Sequence, residues 1–97
     1  MKVFADSSTT AVFTTKFVVR ENKLITYVAH HEEDGAWEFL SDDETDDLMK
    51  VVMLVSLGEI VEIDKTVLEV ADLPLGYFAK RNSIKGQWVI EKSRKEE

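Results

Sequence analysis

Cysteine is absent from the 97 residues of this sequence. A chain without thiols can form neither a disulfide framework nor a thiolate metal site. Secreted domains of this size commonly depend on one or the other, so the absence favours a reducing, cytoplasmic compartment.

Long apolar runs are also missing from the sequence. No stretch approaches the roughly 18 apolar residues that indicate a membrane-spanning helix. The first residues, MKVFADSSTT, place Asp6 and serines where a signal peptide carries its apolar run. We therefore expect neither a membrane segment nor export by this route.

Common catalytic and nucleotide-binding motifs are missing as well. With four glycines and one proline, the chain has no phosphate-cradling glycine loop, dinucleotide fingerprint or nucleophile elbow. Asp34 and Glu38 flank Trp37, but acid–base catalysis would require a cleft that raises one pKa. We expect a protein that is not an enzyme and that uses no cofactor.

The charge that is present is mostly negative and unevenly placed. The formal net charge is −7, and residues 32–47 contain nine acidic residues and no basic one. Residues 80–95, in contrast, contain six basic residues and one acidic residue. An acidic chain repels the phosphates of nucleic acids and anionic lipids, so we expect neither as a partner, whereas a basic protein would be attracted.

Two segments near the N-terminus alternate between apolar and polar residues, as half-buried strands do. In residues 11–20 the odd positions are mostly apolar, and residues 23–31 repeat the alternation. Glu21 and Asn22 lie between them, and asparagine tolerates the left-handed conformation of a tight turn. This pattern predicts a hairpin of the first two strands.

The middle of the chain predicts two further strands separated by an acidic loop. An Asp-Gly turn at 34–35 precedes a strand with Trp37 and Phe39 on one face. The segment DDETDD, residues 42–47, is too charged to pack and is expected to be solvated. Residues 51–55 are apolar on both faces, which predicts a central strand covered on both sides.

Two helix starts follow this strand. Ser56 and Glu59 have the spacing of a capping box, in which the serine hydroxyl accepts a backbone N–H of the first turn. Asp64 can cap a second helical stretch, with apolar Val67 and Val70 at helical spacing. The sequence therefore predicts one or two short helices.

The stretch LPLGYFAKR, residues 73–81, predicts the end of a helix followed by a strand. Pro74 lacks a backbone donor, and Gly76 can adopt the positive φ that redirects the chain. The residues after it alternate up to Arg81, and extended residues 87–91 follow a turn-rich segment. We expect these two strands to form a C-terminal hairpin.

These elements predict one α+β domain over residues 1–97. We expect an antiparallel sheet of about five or six short strands, with one or two short helices packed on one face. The ordered core is expected to span residues 10–91, and residues 92–97 to form a mobile charged tail.

Three segments carry a further pattern: DGAWEFL at 34–40, VVMLVSLGEIVEID at 51–64, and LPLGYFAKR at 73–81 with Trp88 beyond it. In this order they resemble the immunity protein 33-like family of small bacterial domains, some of which look like antidotes to toxins. The resemblance spans residues 16–88 and implies a non-catalytic binding protein.

The acidic loop is the first candidate site. It is either a solvated surface without a partner or a docking patch for an electropositive partner. Together with the resemblance, it favours an immunity-type bacterial protein that masks the basic surface of a toxin or another protein. A homodimer through an edge strand stays open as an alternative assembly, although no residue pattern argues for it. The carboxylates of this possible interface are those of Asp42, Asp43, Glu44, Asp46 and Asp47.

The second candidate site is a possible ligand face made of Trp37, Tyr77, Arg81 and Trp88. Such aromatic residues more often belong to a core or to a half-buried sheet. Arg81 would either pair with an acid of residues 32–47 or project into a concave face and hold an anion. The alternative function is therefore a small-ligand-binding or regulatory domain.

Metal binding is not expected from the sequence. His30 and His31 are adjacent, so on a strand they point to opposite faces and cannot share one ion, although each could join nearby carboxylates. Asp42, Glu44 and Asp46 have the spacing of the first ligands in a calcium-binding loop. Asp47 and Met53, however, stand where that loop requires glycine and glutamate.

Overall fold

Six short strands form one sheet in the computed structural model, which describes residues 2–93. In chain order the elements are β1 (Ala11–Thr15), α1 (Lys16–Glu21), β2 (Tyr27–His30), β3 (Trp37–Leu40), a 3₁₀ turn (Leu48–Lys50), β4 (Val52–Ser56), α2 (Leu57–Ile63), a 3₁₀ helix (Lys65–Val70), β5 (Tyr77–Lys80) and β6 (Val89–Lys92). The strand order across the sheet is β4-β1-β3-β2-β5-β6, and all neighbours are antiparallel except β1 and β3. The predicted α+β class is confirmed. None of the helices in residues 2–93 is long and apolar enough to cross a membrane.

A short helix replaces the second half of the first predicted strand, so the predicted hairpin of the first two strands is wrong. β1 ends at Thr15 and pairs with β3 and β4, while residues 16–21 form α1. Val18 on this helix is fully buried, and Asn22 ends the helix in the left-handed conformation, with φ of 57°. A helix of six residues is too short to be stable alone. Burial of its apolar side therefore overrides the strand preference of phenylalanine and valine.

β4 lies at one edge of the sheet, which corrects the prediction of a central strand covered on both faces. It pairs with β1 along its whole length and ends the strand order. Val55 packs against the core, whereas Leu54 on the other face is 61% exposed. The apolar residues on the second face of β4 are thus turned toward solvent.

The predicted helix caps after β4 are confirmed. The Ser56 hydroxyl accepts the backbone N–H of Glu59 at 3.2 Å, at the start of α2. The Asp64 carboxylate accepts the N–H of Thr66 at 2.9 Å, at the start of the 3₁₀ helix. Each cap satisfies a first-turn donor that has no partner within its own helix.

The predicted chain reversals at two glycines are also confirmed. Gly35, in the β2–β3 connection, has φ of +74°, and Gly76, just before β5, has φ of +82°. Both values are unfavourable for residues with a Cβ. Near the C-terminus, the Ser93 N–H donates to the Gly76 carbonyl at 2.7 Å, so extended structure continues past residue 91. The part of the expected tail at 94–97 lies outside the described residues.

The helices pack on one face of the sheet and enclose the core with it. Phe4 also joins this core, with its ring 4.9 Å from that of Trp37. The opposite face of the sheet is the one that carries the exposed Leu54 and Phe13. The buried apolar residues of the core cluster are Val12, Val18, Ile25, Val28, Trp37, Phe39, Leu57, Ile60, Val67, Val70, Leu73 and Ala79.

Candidate binding surface

The face of the sheet opposite the helices, which we call the open face, carries side chains from all six strands. Residues paired across neighbouring strands point to the same side and lie about 5 Å apart. One row across the open face therefore contains Leu54, Phe13, Glu38, Ala29, Phe78 and Glu91. The next row contains Leu40, Tyr27, Lys80 and Val89.

A cleft of about 740 Å³ lies at one end of the open face, where β2, β3, β5 and β6 meet the loop that follows β3. Leu40 and Val89 contribute apolar walls, while Tyr27, Glu38 and Asp42 contribute polar groups. Ligand clefts commonly have volumes of about 300–1,000 Å³. The cleft is thus large enough for a side chain of a partner or for a small molecule.

Carboxylates outnumber the available cations in this cleft. Glu38, Asp42 and Glu91 line it together with Lys80. Arg81 also lines it, but its charge is already neutralised by an ion pair with Asp64 inside the fold. The unpaired charge of the lining is therefore negative.

Tyr27 and Glu38 interact on the open face. Burial and, to a lesser extent, the negative charge of Glu38 raise the pKa of the Tyr27 phenol above its ordinary value of 10.0. Glu38 Oε1 lies 3.0 Å from Nε2 of His31. At neutral pH the phenol stays protonated, so it can donate a hydrogen bond into the cleft.

The acidic segment, residues 42–47, follows β3 and borders the cleft. Asp43 is held in place, because it accepts the Ser41 hydroxyl at 2.7 Å and lies 3.9 Å from the Lys23 ammonium. The remaining carboxylates of the segment are exposed and form no ion pair with the described residues. They belong to Asp42, Glu44, Asp46 and Asp47.

Arg81 pairs within the fold, and its partner is not one of the acids of residues 32–47 that were expected. Its guanidinium donates to the Asp64 carboxylate at 2.7 Å, the Thr66 hydroxyl at 2.8 Å and the Ile25 carbonyl at 3.0 Å. The Arg81 side chain is 0% exposed. The ion pair therefore joins the end of β5 to the start of the 3₁₀ helix.

The aromatic members of the second candidate site lie on the helix-covered side of the sheet or at its margin. Trp37 is 2% exposed and stacks on His30, with 3.9 Å between ring centroids. Tyr77 and Trp88 are half-buried against the same core, and the Arg81 guanidinium lies 4.2 Å from the centre of the Trp88 ring. The structure thus brings Arg81 and Trp88 together, but in a packed arrangement.

The two histidines contact different sides of the sheet. His30 Nδ1 lies 2.8 Å from the Leu73 carbonyl on the helix side, whereas His31 is bonded to Glu38. Within residues 2–93, no group of three or more histidine, aspartate or glutamate side chains is placed to hold a metal ion.

Sequence reasoning did not identify the open face. The available signal was the presence of apolar residues on both faces of β2 and β4, together with Phe13 on the outer side of β1. Such strands either lie between two layers or present one apolar face to solvent or to a partner. Only the placement of the helices distinguishes these two cases.

The sequence matches a known protein family. The family model of the immunity protein Imm33 domain matches residues 5–91. No curated protein and no solved structure matches the chain.

Proposed function

We propose that this chain, which belongs to the immunity protein Imm33 domain family, binds a toxin-like protein and masks a basic surface on it. In this role the protein acts by binding to its partner and covering part of the partner's surface, which requires complementary shape and charge. We place this activity in the bacterial cytoplasm, a compartment that suits a chain without cysteine.

The observation that carries this proposal is the exposed acidic segment beside the open face. Of its five carboxylates, only that of Asp43 approaches a basic side chain of residues 2–93, the ammonium of Lys23. Unpaired carboxylates of one sign on one edge attract a basic partner and accelerate its encounter with that edge. The four carboxylates of the segment that form no ion pair with residues 2–93 are available for pairing with another molecule.

A growth assay tests the proposal. A toxin-like protein, chosen from the products of the genes adjacent to that of this protein, is expressed in a bacterial host, with or without the wild-type protein. We expect the wild type to restore growth, and a variant with Asp42, Asp43, Asp46 and Asp47 changed to asparagine to lose that protection.

A matched control removes the same amount of charge from the helical side. It changes Glu21, Glu59, Glu62 and Glu69, which are all exposed, to glutamine, and it should protect as well as the wild type. Failure of the wild type to protect would contradict the immunity role. Equal protection by the aspartate variant would contradict only the role of the acidic segment.

Association kinetics supply a second readout of the same contact. If charge steering operates, the association rate constant for the partner falls steeply as ionic strength rises from about 0.02 to 0.5 M. The aspartate variant should associate more slowly at low salt and depend less on salt. A wild-type rate constant that does not change with salt would contradict the charge-based contact.

A further inference from the structure

The open face exposes apolar area that a contact through charge alone does not use. Leu54 and Phe13 are paired neighbours on β4 and β1, and they are 61% and 42% exposed. Val89, at the cleft end of the same face, is 54% exposed. Adjacent exposed apolar residues that are rimmed by charged groups are typical of interaction sites.

The two ends of the open face differ in chemistry. The end near β4 presents Leu54 and Phe13, and the next residue of that row is Glu38. Beyond Glu38 lies the cleft, where Asp42 and Glu91 add further negative charge. A complementary partner therefore carries apolar side chains at one end and a positive charge at the other.

Lys80 also lines the cleft, but among residues 2–93 it forms no ion pair with these carboxylates. Its ammonium lies over the ring of Phe78, 5.6 Å from the ring centre. Tyr27 and Phe78 are also neighbours, with 5.6 Å between their ring centroids. The cleft thus combines aromatic and aliphatic surfaces, which suit the methylene groups of a long side chain, with carboxylates that suit its cationic end.

We propose that the open face binds a basic amphipathic helix of the protein partner, with one lysine or arginine side chain inserted into the cleft at Glu38. This inference rests on the proposed immunity function and names the surface and the partner segment that would serve it. One helical turn advances about 5.4 Å, which is close to the spacing of about 4.8 Å between strands. A helix lying across the strands can therefore place successive side chains over Leu54, Phe13 and Glu38.

Two other arrangements fit the charges less well. A second copy of this chain, itself with a net charge of −7, would bring Glu38, Asp42 and Glu91 toward another acidic face. A second groove, of about 680 Å³ on the helical side, is lined by two basic residues and one acidic residue, Lys2, Lys65 and Glu69. That lining has no net negative charge to attract a basic segment, so the groove serves as an internal reference site.

A titration followed by NMR tests the inference without any toxin. The probe is a capped helical peptide of about 15 residues made of leucine and lysine only, long enough to form a helix on a surface. We expect saturable shifts of backbone signals on the open face, centred on Phe13, Glu38 and Leu54. A peptide with glutamate in place of lysine should bind at least about tenfold more weakly, because its charge is reversed.

Two single variants with matched controls locate the contact. Glu38→Gln should weaken binding of the lysine peptide about fivefold, and Leu54→Ser by a similar factor, because they remove the charge and the apolar contact, respectively. Glu62→Gln on α2 and Leu75→Ser before β5 remove the same groups from exposed positions elsewhere and should change the affinity less than twofold. Leu54 is exposed, so this variant should remain folded even if Glu38→Gln does not.

Several results would overturn the inference. They are shifts confined to the groove near Lys2 and Lys65, equal affinity for the two peptides, or unchanged affinity in both Glu38→Gln and Leu54→Ser. Concentration-dependent shifts of the open face without peptide would also overturn it, in favour of a homodimer.

Because no toxin is present, loss of peptide binding with intact growth protection rejects only this inference. Peptide binding without growth protection instead rejects the proposed function.

Discussion

Arg81 shows how a single buried charge can be retained in a small core. Its guanidinium is fully covered, and it is stabilised by the Asp64 carboxylate, the Thr66 hydroxyl and the Ile25 carbonyl. The Trp88 ring covers its face. Burying a cation is tolerable only when an opposite charge and hydrogen bonds replace the lost water, so each partner becomes necessary.

Asp64→Ala is expected to destabilise the protein by about 3 kcal/mol. The substitution leaves the Arg81 guanidinium buried without its counter-ion, and it also removes the cap of the 3₁₀ helix. Urea denaturation followed by tryptophan fluorescence measures the change in the free energy of unfolding.

Asp72→Ala provides the matched control for this substitution. Asp72 also forms an ion pair, with Lys2 at 3.2 Å, but both side chains are at least half exposed. Exposed pairs contribute about 0–1 kcal/mol, so the loss should be small. Equal effects of the two substitutions would show that the Arg81 pair is not a significant source of stability.

At the scale of elements, the connections that contain the two glycines with positive φ restrict the choice of residue more than the strands they join. Gly35 has open space where a Cβ would be placed. At Gly76 the added Cβ would lie 3.1 Å from a carboxylate oxygen of Glu32. Gly76 also forms two backbone hydrogen bonds, through its N–H to the His30 carbonyl at the end of β2 and through its carbonyl to the N–H of Ser93, just after β6.

Gly76→Ala should therefore cost more stability than Gly35→Ala. An alanine in the left-handed conformation lowers the free energy of unfolding by about 1 kcal/mol in either variant. Gly76→Ala must also displace Glu32, so its total loss should be about 2 kcal/mol. Chemical denaturation of the two single variants measures the difference.

A double-mutant cycle with Glu32→Ala tests the cause of the extra cost. In that background the cost of Gly76→Ala should fall to the value for Gly35→Ala, because the crowding carboxylate has been removed. An undiminished cost would mean that the backbone hydrogen bonds of Gly76, and not the contact with Glu32, account for the difference.

At the scale of the whole molecule, the acidic segment adds repulsion to a chain whose net charge is already −7. Asp42, Asp46 and Asp47 have no basic partner among residues 2–93 to offset this repulsion. Their carboxylates therefore oppose folding at low ionic strength. A segment that serves binding can carry such a cost in stability.

Changing Asp42, Asp46 and Asp47 to asparagine should raise the melting temperature by about 2–5 °C at low salt. The difference from the wild type should largely disappear near 0.5 M salt, because screening then removes the repulsion in both proteins. Melting curves followed by circular dichroism at several salt concentrations measure this trend. A lower melting temperature for the variant would show instead that these carboxylates make stabilising contacts.

Features with local causes could be predicted from the sequence alone. The caps at Ser56 and Asp64 and the reversals at Gly35 and Gly76 each depend on residues within a few positions, and all four were predicted. The match to the immunity family also depends on sequence alone, since it covers residues 5–91.

Features that depend on contacts between distant parts of the chain could not be predicted in this way. Residues 16–21 became a helix because burial of Val18 outweighs local strand preference. Arg81 lies 56 positions from Ile25, to whose carbonyl it donates, and no local pattern specifies such a pairing. The open face and its cleft likewise arise only when the helices have covered one side of the sheet, because a strand with two apolar faces does not encode which of them is buried.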